Sequence, residues 1–108
     1  MAIRVAINGF GRIGRLVFRV LANDDRFQVV AVNDLADANS LATLLRYDSV
    51  HGRFNGTVTV DGDGNMVVNG VGIRVYGERN ILDLPWAKHE IDFVVEATGV
   101  FKIGRAHV

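Results

Sequence analysis

Asn8-Gly9-Phe10-Gly11-Arg12-Ile13-Gly14 sets three glycines within six residues, between an apolar run and an amphipathic one. Glycine is costly inside regular structure, so such a cluster answers a geometric demand. The run before it, Ile3-Arg4-Val5-Ala6-Ile7, is β-branched, short and bounded by Asn8-Gly9, which predicts a strand. After it the period changes. Ile13, Leu16, Val17, Val20 and Leu21 fall on one helical face, Arg12, Arg15 and Arg19 on the other, and Asn23-Asp24-Asp25 ends the helix. A G-x-G-x-x-G string alone is weak evidence, but between a strand and a helix it acquires a mechanism. Gly9 permits the tight turn, Gly11 has no Cβ to block a pyrophosphate, and Gly14 lets the helix pack closely on the strand. Arg12 and Ile13 occupy the first helical turn, where unpaired N–H groups and the helix dipole favour an anion.

Working outward, Phe27-Gln28-Val29-Val30-Ala31-Val32-Asn33 is almost wholly apolar, as a strand covered on both faces is. Asp34 ends it twenty residues after Gly14, where a carboxylate can accept both hydroxyls of an adenosine ribose. The plain alternative is a ligand-free turn with Asp34 as an ordinary cap. Strand, glycines, helix, second strand and acid in this order favour a dinucleotide site. NAD is preferred over NADP, because Asp34 beside a 2′-phosphate would bring two anions together.

Ala38 to Tyr47 carries Leu41, Leu44 and Leu45 at helical spacing, with Asp37 as N-cap. Tyr47-Asp48-Ser49-Val50-His51-Gly52 reads as a polar connection. Thr57–Val60 and Met66–Val68 read as a hairpin about Asp61-Gly62-Asp63-Gly64-Asn65. Asn69-Gly70 turns the chain again before Ile73-Arg74-Val75-Tyr76, so three short strands form an antiparallel insertion. Leu84-Pro85-Trp86-Ala87-Lys88 suits a short helix, with Pro85 near its first turn. Ile91-Asp92-Phe93-Val94-Val95-Glu96-Ala97 is a further buried strand, closed by Thr98-Gly99. The resulting class is α/β: a Rossmann-type, doubly wound, mostly parallel sheet with a small antiparallel hairpin insertion.

Composition narrows the function. A chain of 108 residues is one domain at most. Twelve basic residues balance twelve acidic ones, which gives no indication of nucleic acid or membrane as partner. Cysteine is absent, excluding disulfides, thiolate metal sites and a cysteine nucleophile within this sequence. No apolar run approaches the ~20 residues that cross a bilayer, and no basic stretch precedes a long apolar core, so the expectation is a soluble cytoplasmic protein without a signal peptide. Asp61-Gly62-Asp63-Gly64-Asn65 has the look of a calcium loop, but Gly72 stands where the twelfth-position glutamate belongs, so no metal is expected.

Four stretches carry a family resemblance: Val5 to Arg15, Val32-Asn33-Asp34-Leu35, Leu45 to Phe54, and Glu96-Ala97-Thr98-Gly99-Val100-Phe101. In order and spacing they resemble the N-terminal part of a phosphorylating glyceraldehyde-3-phosphate dehydrogenase, across residues 2 to about 102. The resemblance implies NAD as cofactor. Arg12 and Ile13 would meet its pyrophosphate, Asn8, Gly9 and Gly11 would form the surrounding turn, and Asp34 would bind the ribose. Arg79 would lie near the adenine, and Thr98 and Gly99 would form a loop passing along the cofactor. No catalytic residue is assigned. His51 is read as structural or at a subunit contact, and His89 as solvent-facing.

The family reaction, as the resemblance implies it, needs a cysteine thiolate that forms a hemithioacetal with the aldehyde and a histidine base. Hydride then passes to NAD and phosphate attacks the thioester. Residues 1–102 are therefore expected to be a partial NAD(P)-binding Rossmann domain with an incomplete sheet. The catalytic domain is expected to lie outside these residues, and the chain alone is expected to be inactive. Glyceraldehyde 3-phosphate, phosphate and a homotetrameric assembly would belong to the full-length parent. Ile103-Gly104-Arg105-Ala106-His107-Val108 departs abruptly from the family pattern. One back-translation of it coincides with a common sequencing-adapter stretch, so 103–108 is expected to be a non-native tail. The alternatives are an erythrose-4-phosphate dehydrogenase fragment, from which Asp34 leans away, and a non-catalytic nucleotide-binding module.

Overall fold

The first apolar run, buried from Val5 onward, becomes a central strand of the sheet, β1 (Ile3–Asn8). The structure, a computed structural model, describes residues 2–48, 52–54, 56–79, 84, 86, 88–98 and 102–105. Helix α1 (Arg12–Ala22) leads to β2 (Phe27–Asn33), and α2 (Ala38–Arg46) follows. Then come β3 (Tyr47–Asp48), β4 (Gly52–Arg53), β5 (Val58–Val60), β6 (Met66–Val68), β7 (Val71–Tyr76), β8 (Phe93–Glu96) and β9 (Lys102–Arg105). Seven strands form one sheet in the order β5-β6-β7-β2-β1-β8-β9. The pairs β7·β2, β2·β1 and β1·β8 are parallel. The pairs β5·β6, β6·β7 and β8·β9 are antiparallel.

The chain proceeds from β1 to β2 to β7 on one side, then returns to place β8 on the other side of β1. That reversal marks the carboxyl ends of β1 and β8 as the switch point, the place where open α/β sheets hold their ligands. Side chains cover both sheet faces. Phe10, Phe18, Leu41, Leu45, Met66 and Ile73 fill one, and Ala6, Ala31, Leu84, Trp86 and Ile91 the other.

Several expectations are corrected. Of the expected α1 face, the Ile13-Leu16-Val20 stripe is 49%, 41% and 61% exposed, while Val17 and Leu21 pack partly against the core. Gly14 is buried in close packing, as expected, and Arg15 and Phe18, which the apolar spacing did not count, are buried with it. Close packing of Gly14 on the loop before the helix sets the rotation, and Phe18 follows one turn later on the same face. Arg15, expected on the polar side, donates from Nη1 to Phe10 O at 3.1 Å. Hydrogen-bonding to a carbonyl makes its burial tolerable.

The antiparallel insertion is also not separate. Its third strand, β7, pairs with β6 on one edge and joins β2 in parallel on the other. The turn between β6 and β7 has Asn69 and Gly70 both at positive φ, 52° and 81°, as a two-residue hairpin of this hand requires. The polar connection expected after α2 forms a small ladder, Tyr47 opposite Arg53 and Asp48 opposite Gly52. The described residues of 84–90 form turns in place of the expected helix, with Trp86 N–H donating to Leu84 O. Lys102–Arg105 lies along β8 as an antiparallel edge strand, which needs only backbone groups.

Asp37 caps α2 as expected, its side chain accepting from Ser40 N–H at 2.8 Å. That hydrogen bond holds the carboxyl below its ordinary pKa. A depressed carboxyl contributes stability above the unfolded value of about 3.9 and loses it as pH falls through the folded value. Asp37→Ala is therefore expected to lower the urea midpoint at pH 7 and to have almost no effect at pH 2. Equal losses at both pH values would contradict a charge-assisted cap.

Candidate functional site

The glycine loop is tied at both ends. Gly9 N–H donates to Asn33 O at 2.8 Å, and Gly9 adopts φ +95°, open to glycine at little cost. A Cβ there would lie 2.8 Å from Thr98 N and 2.9 Å from Ala97 C, so the loop rests directly on the segment after β8. A Cβ on Gly14 would meet Gly9 O at 2.1 Å. Gly11 is different: a Cβ there would meet nothing within 4 Å. The space beside it is open. Gly11 is also the N-cap of α1, which has no side-chain cap and no acidic residue in its first turn. The helix end therefore keeps the positive potential that suits an anion. Arg12 and Ile13 are exposed in that turn.

Asp34 sits where β2 ends, half-buried, with its N–H donating to Tyr76 O. Its Oδ2 accepts from Phe10 N–H at 2.8 Å and its Oδ1 from Ala36 N–H at 3.0 Å. A carboxylate has about four lone-pair sites, so two backbone donors leave room for ribose hydroxyls. The residues present thus fit a dinucleotide: open backbone for a pyrophosphate, an uncapped helix end and an acid beside them.

Asn8 is not part of the open rim. It is 4% exposed, and Asn33 is equally buried. Asn8 Nδ2 donates to both oxygens of Glu96, at 3.0 and 2.8 Å. Asn33 Nδ2 donates to Asn8 Oδ1 at 2.8 Å and to Glu78 O at 2.9 Å, while Asn33 Oδ1 accepts from Glu78 N–H at 2.8 Å. Thr98 is exposed and donates from Oγ1 to Glu96 Oε1 at 2.7 Å. Arg79 is exposed in the bend after Glu78. Asn33 and Glu96 carry this network, and sequence reading assigned neither a role. The available signal was a polar residue closing each apolar strand at its carboxyl end.

Gly99 and His51 lie outside the described residues. His89 is half-buried rather than wholly solvent-facing. Its ring packs against Tyr76 at 5.7 Å, its Nε2 shares a hydrogen bond with the Tyr76 hydroxyl, and its carbonyl accepts from the Arg4 guanidinium. Burial, then the charges of Arg74, Lys88 and Arg4, push its pKa below the ordinary value. Asp61 Oδ1 accepts from Asp63 and Asn65 N–H groups, which makes the acidic stretch a hairpin turn. Among the described residues no group of three or more His, Cys, Asp or Glu could hold a metal ion. Among them, too, no helix is long and apolar enough to cross a membrane.

The family model described as "Glyceraldehyde 3-phosphate dehydrogenase, NAD binding domain" matches residues 3–103. The chain belongs to this family. It is 57% identical over 101 residues to glyceraldehyde-3-phosphate dehydrogenase 1 of Bacillus subtilis (strain 168), covering 94% of this chain and 30% of that protein. It is 52% identical over 111 residues to the Haemophilus influenzae enzyme of that name, covering all of this chain and 32% of the relative. Glyceraldehyde-3-phosphate dehydrogenase A of Escherichia coli K12 is 50% identical over the whole chain, which covers 33% of it. The chain thus spans about a third of the length of these relatives. As a member of an NAD-binding domain family with an α/β Rossmann-type sheet, it has NAD as its cofactor.

Proposed function

We propose that this glyceraldehyde-3-phosphate dehydrogenase domain holds NAD for an enzyme that oxidises and phosphorylates glyceraldehyde 3-phosphate. The observation that carries the reading is the open approach at Gly11, on an uncapped helix end beside Asp34. When bound, NAD supplies the hydride acceptor. Arg12 and Ile13 receive the pyrophosphate through backbone N–H groups, Gly9 and Gly11 form the turn beside it, Asp34 receives the ribose hydroxyls, Arg79 lies by the adenine, and Thr98 and Gly99 border the cofactor. Asn8 supports the loop from below. The sequence contains no cysteine, so the nucleophile and its histidine base belong to the remainder of a protein of the relatives' length. Substrate, phosphate, a homotetrameric assembly and a cytoplasmic location belong to that whole protein and not to this domain alone. All three relatives named above carry the glyceraldehyde name, which favours that substrate over erythrose 4-phosphate.

The test titrates NAD and NADP against a full-length enzyme carrying this domain, with and without Asp34→Ala. NAD binding is expected to weaken by about 1.5–3 kcal/mol, since hydrogen bonds to a charged acceptor are lost. Asp34 also anchors Phe10 N–H, so the decisive reading is the ratio of the two cofactors, which should shift towards NADP. An unchanged ratio would remove Asp34 from the ribose site.

A further inference from the structure

Past Tyr76 the backbone ladder between β2 and β7 ends, with Asp34 N–H to Tyr76 O as its last rung. The next backbone groups on that side, Glu78 N–H and Glu78 O, are both taken by one side chain, the Asn33 carboxamide. We propose that Asn33 is a positioning residue for the adenine end of the cofactor: it clamps Glu78 and so places Arg79, and Glu96 orients the clamp through Asn8. The proposal rests on the NAD reading, in which Arg79 borders the adenine.

The direction of the clamp follows from donor and acceptor chemistry. An ionised carboxylate only accepts. Glu96 therefore requires Asn8 to present its NH2 group, at 3.0 and 2.8 Å. That leaves Asn8 Oδ1 facing Asn33, which must answer with its own NH2. Only Asn33 Oδ1 then remains to receive Glu78 N–H, while the second Asn33 N–H reaches Glu78 O. One anion thus sets the polarity of two buried amides across the ends of β8, β1 and β2. Flipping either amide would set acceptor against acceptor in a site 4% exposed, where unsatisfied groups are costly.

The test uses a full-length enzyme carrying this domain, with AMP and nicotinamide mononucleotide as separate probes of the two cofactor ends. Asn33→Asp keeps the acceptor for Glu78 N–H but places a carboxylate against Glu78 O and Asn8 Oδ1. Asn33→Ala removes all three bonds. Both are expected to weaken AMP roughly tenfold, to raise the KM for NAD at nearly constant kcat, and to leave nicotinamide mononucleotide unchanged. Hydrogen exchange of Glu78 N–H in the unsubstituted enzyme supplies a reading that needs no variant, with protection like that of a ladder amide expected. Equal loss of both probes, no loss of either, or rapid exchange at Glu78 would overturn the positioning role. Failure of the unsubstituted enzyme to bind NAD would instead overturn the NAD reading, and this inference with it.

Discussion

Gly14→Ala is expected to destabilise the domain by about 3 kcal/mol or more, the upper end of what overpacking costs, and to abolish NAD binding. The added methyl would stand 2.1 Å from Gly9 O and 3.1 Å from Gly9 C. Neither partner is a side chain that can swing away. Gly9 is held at φ +95°, and even a Cβ on it would stand 2.8 Å from Thr98 N and 2.9 Å from Ala97 C, so the turn has little room to retreat. Alanine gains about 1 kcal/mol of helix propensity over glycine, which is too little to offset the clash. Gly11→Ala makes the contrast. Its methyl enters open space at φ −75°, so the fold is expected to keep its stability while pyrophosphate loses its approach. Urea denaturation and NAD titration of both variants separate the two glycines. A stable, NAD-binding Gly14→Ala would refute the packing described for this loop.

Phe18→Ala is expected to cost about 3–5 kcal/mol, as truncation of a buried aromatic does. Phe18 is 1% exposed, edge-on to Phe10 at 5.7 Å and tilted against Phe54 at 6.2 Å. Phe10 belongs to the glycine loop, so the cavity would open directly beneath the cofactor's approach. Val20→Ala on the same helix is the counterpart. Val20 is 61% exposed, and the loss is expected to stay within about 0.5 kcal/mol. Equilibrium urea unfolding of the two variants measures the difference. Similar losses at Phe18 and Val20 would mean that α1 packs through the Ile13-Leu16-Val20 stripe after all.

That stripe shows where periodicity stops being informative. The spacing of apolar residues established that Arg12–Ala22 is a helix, because a period near 3.6 gathers them on one side only when the backbone is helical. It fixed the rotation only in part: Val17 and Leu21 pack against the core, but Phe18, the most buried side chain of the helix, lies between the counted positions. Rotation about the helix axis is set by one close approach, Gly14 on Gly9 O, and a missing Cβ has no hydropathy to register. The hairpin behaves alike. Val58–Val60 and Met66–Val68 were legible from alternation and turn residues, whereas the second edge of β7, paired with β2, depends on long-range register.

By itself the sequence determined the element types from β1 through α2 and in the hairpin, the strand-glycine-helix turn, the acid at the end of β2, the family and hence NAD, because each is carried by residue type and short spacing. Only the tertiary structure decided which of those residues lie open at the switch point and which support it. Asn8 reads as loop, yet it is buried between Glu96 and Asn33; Asn33 reads as the last residue of a strand, yet it holds Glu78 forty-five positions away. The physical reason is that the donor and acceptor chain from Glu96 to Glu78 crosses three parallel strands. No local pattern records which amide will meet which carbonyl until β8, β1 and β2 lie side by side.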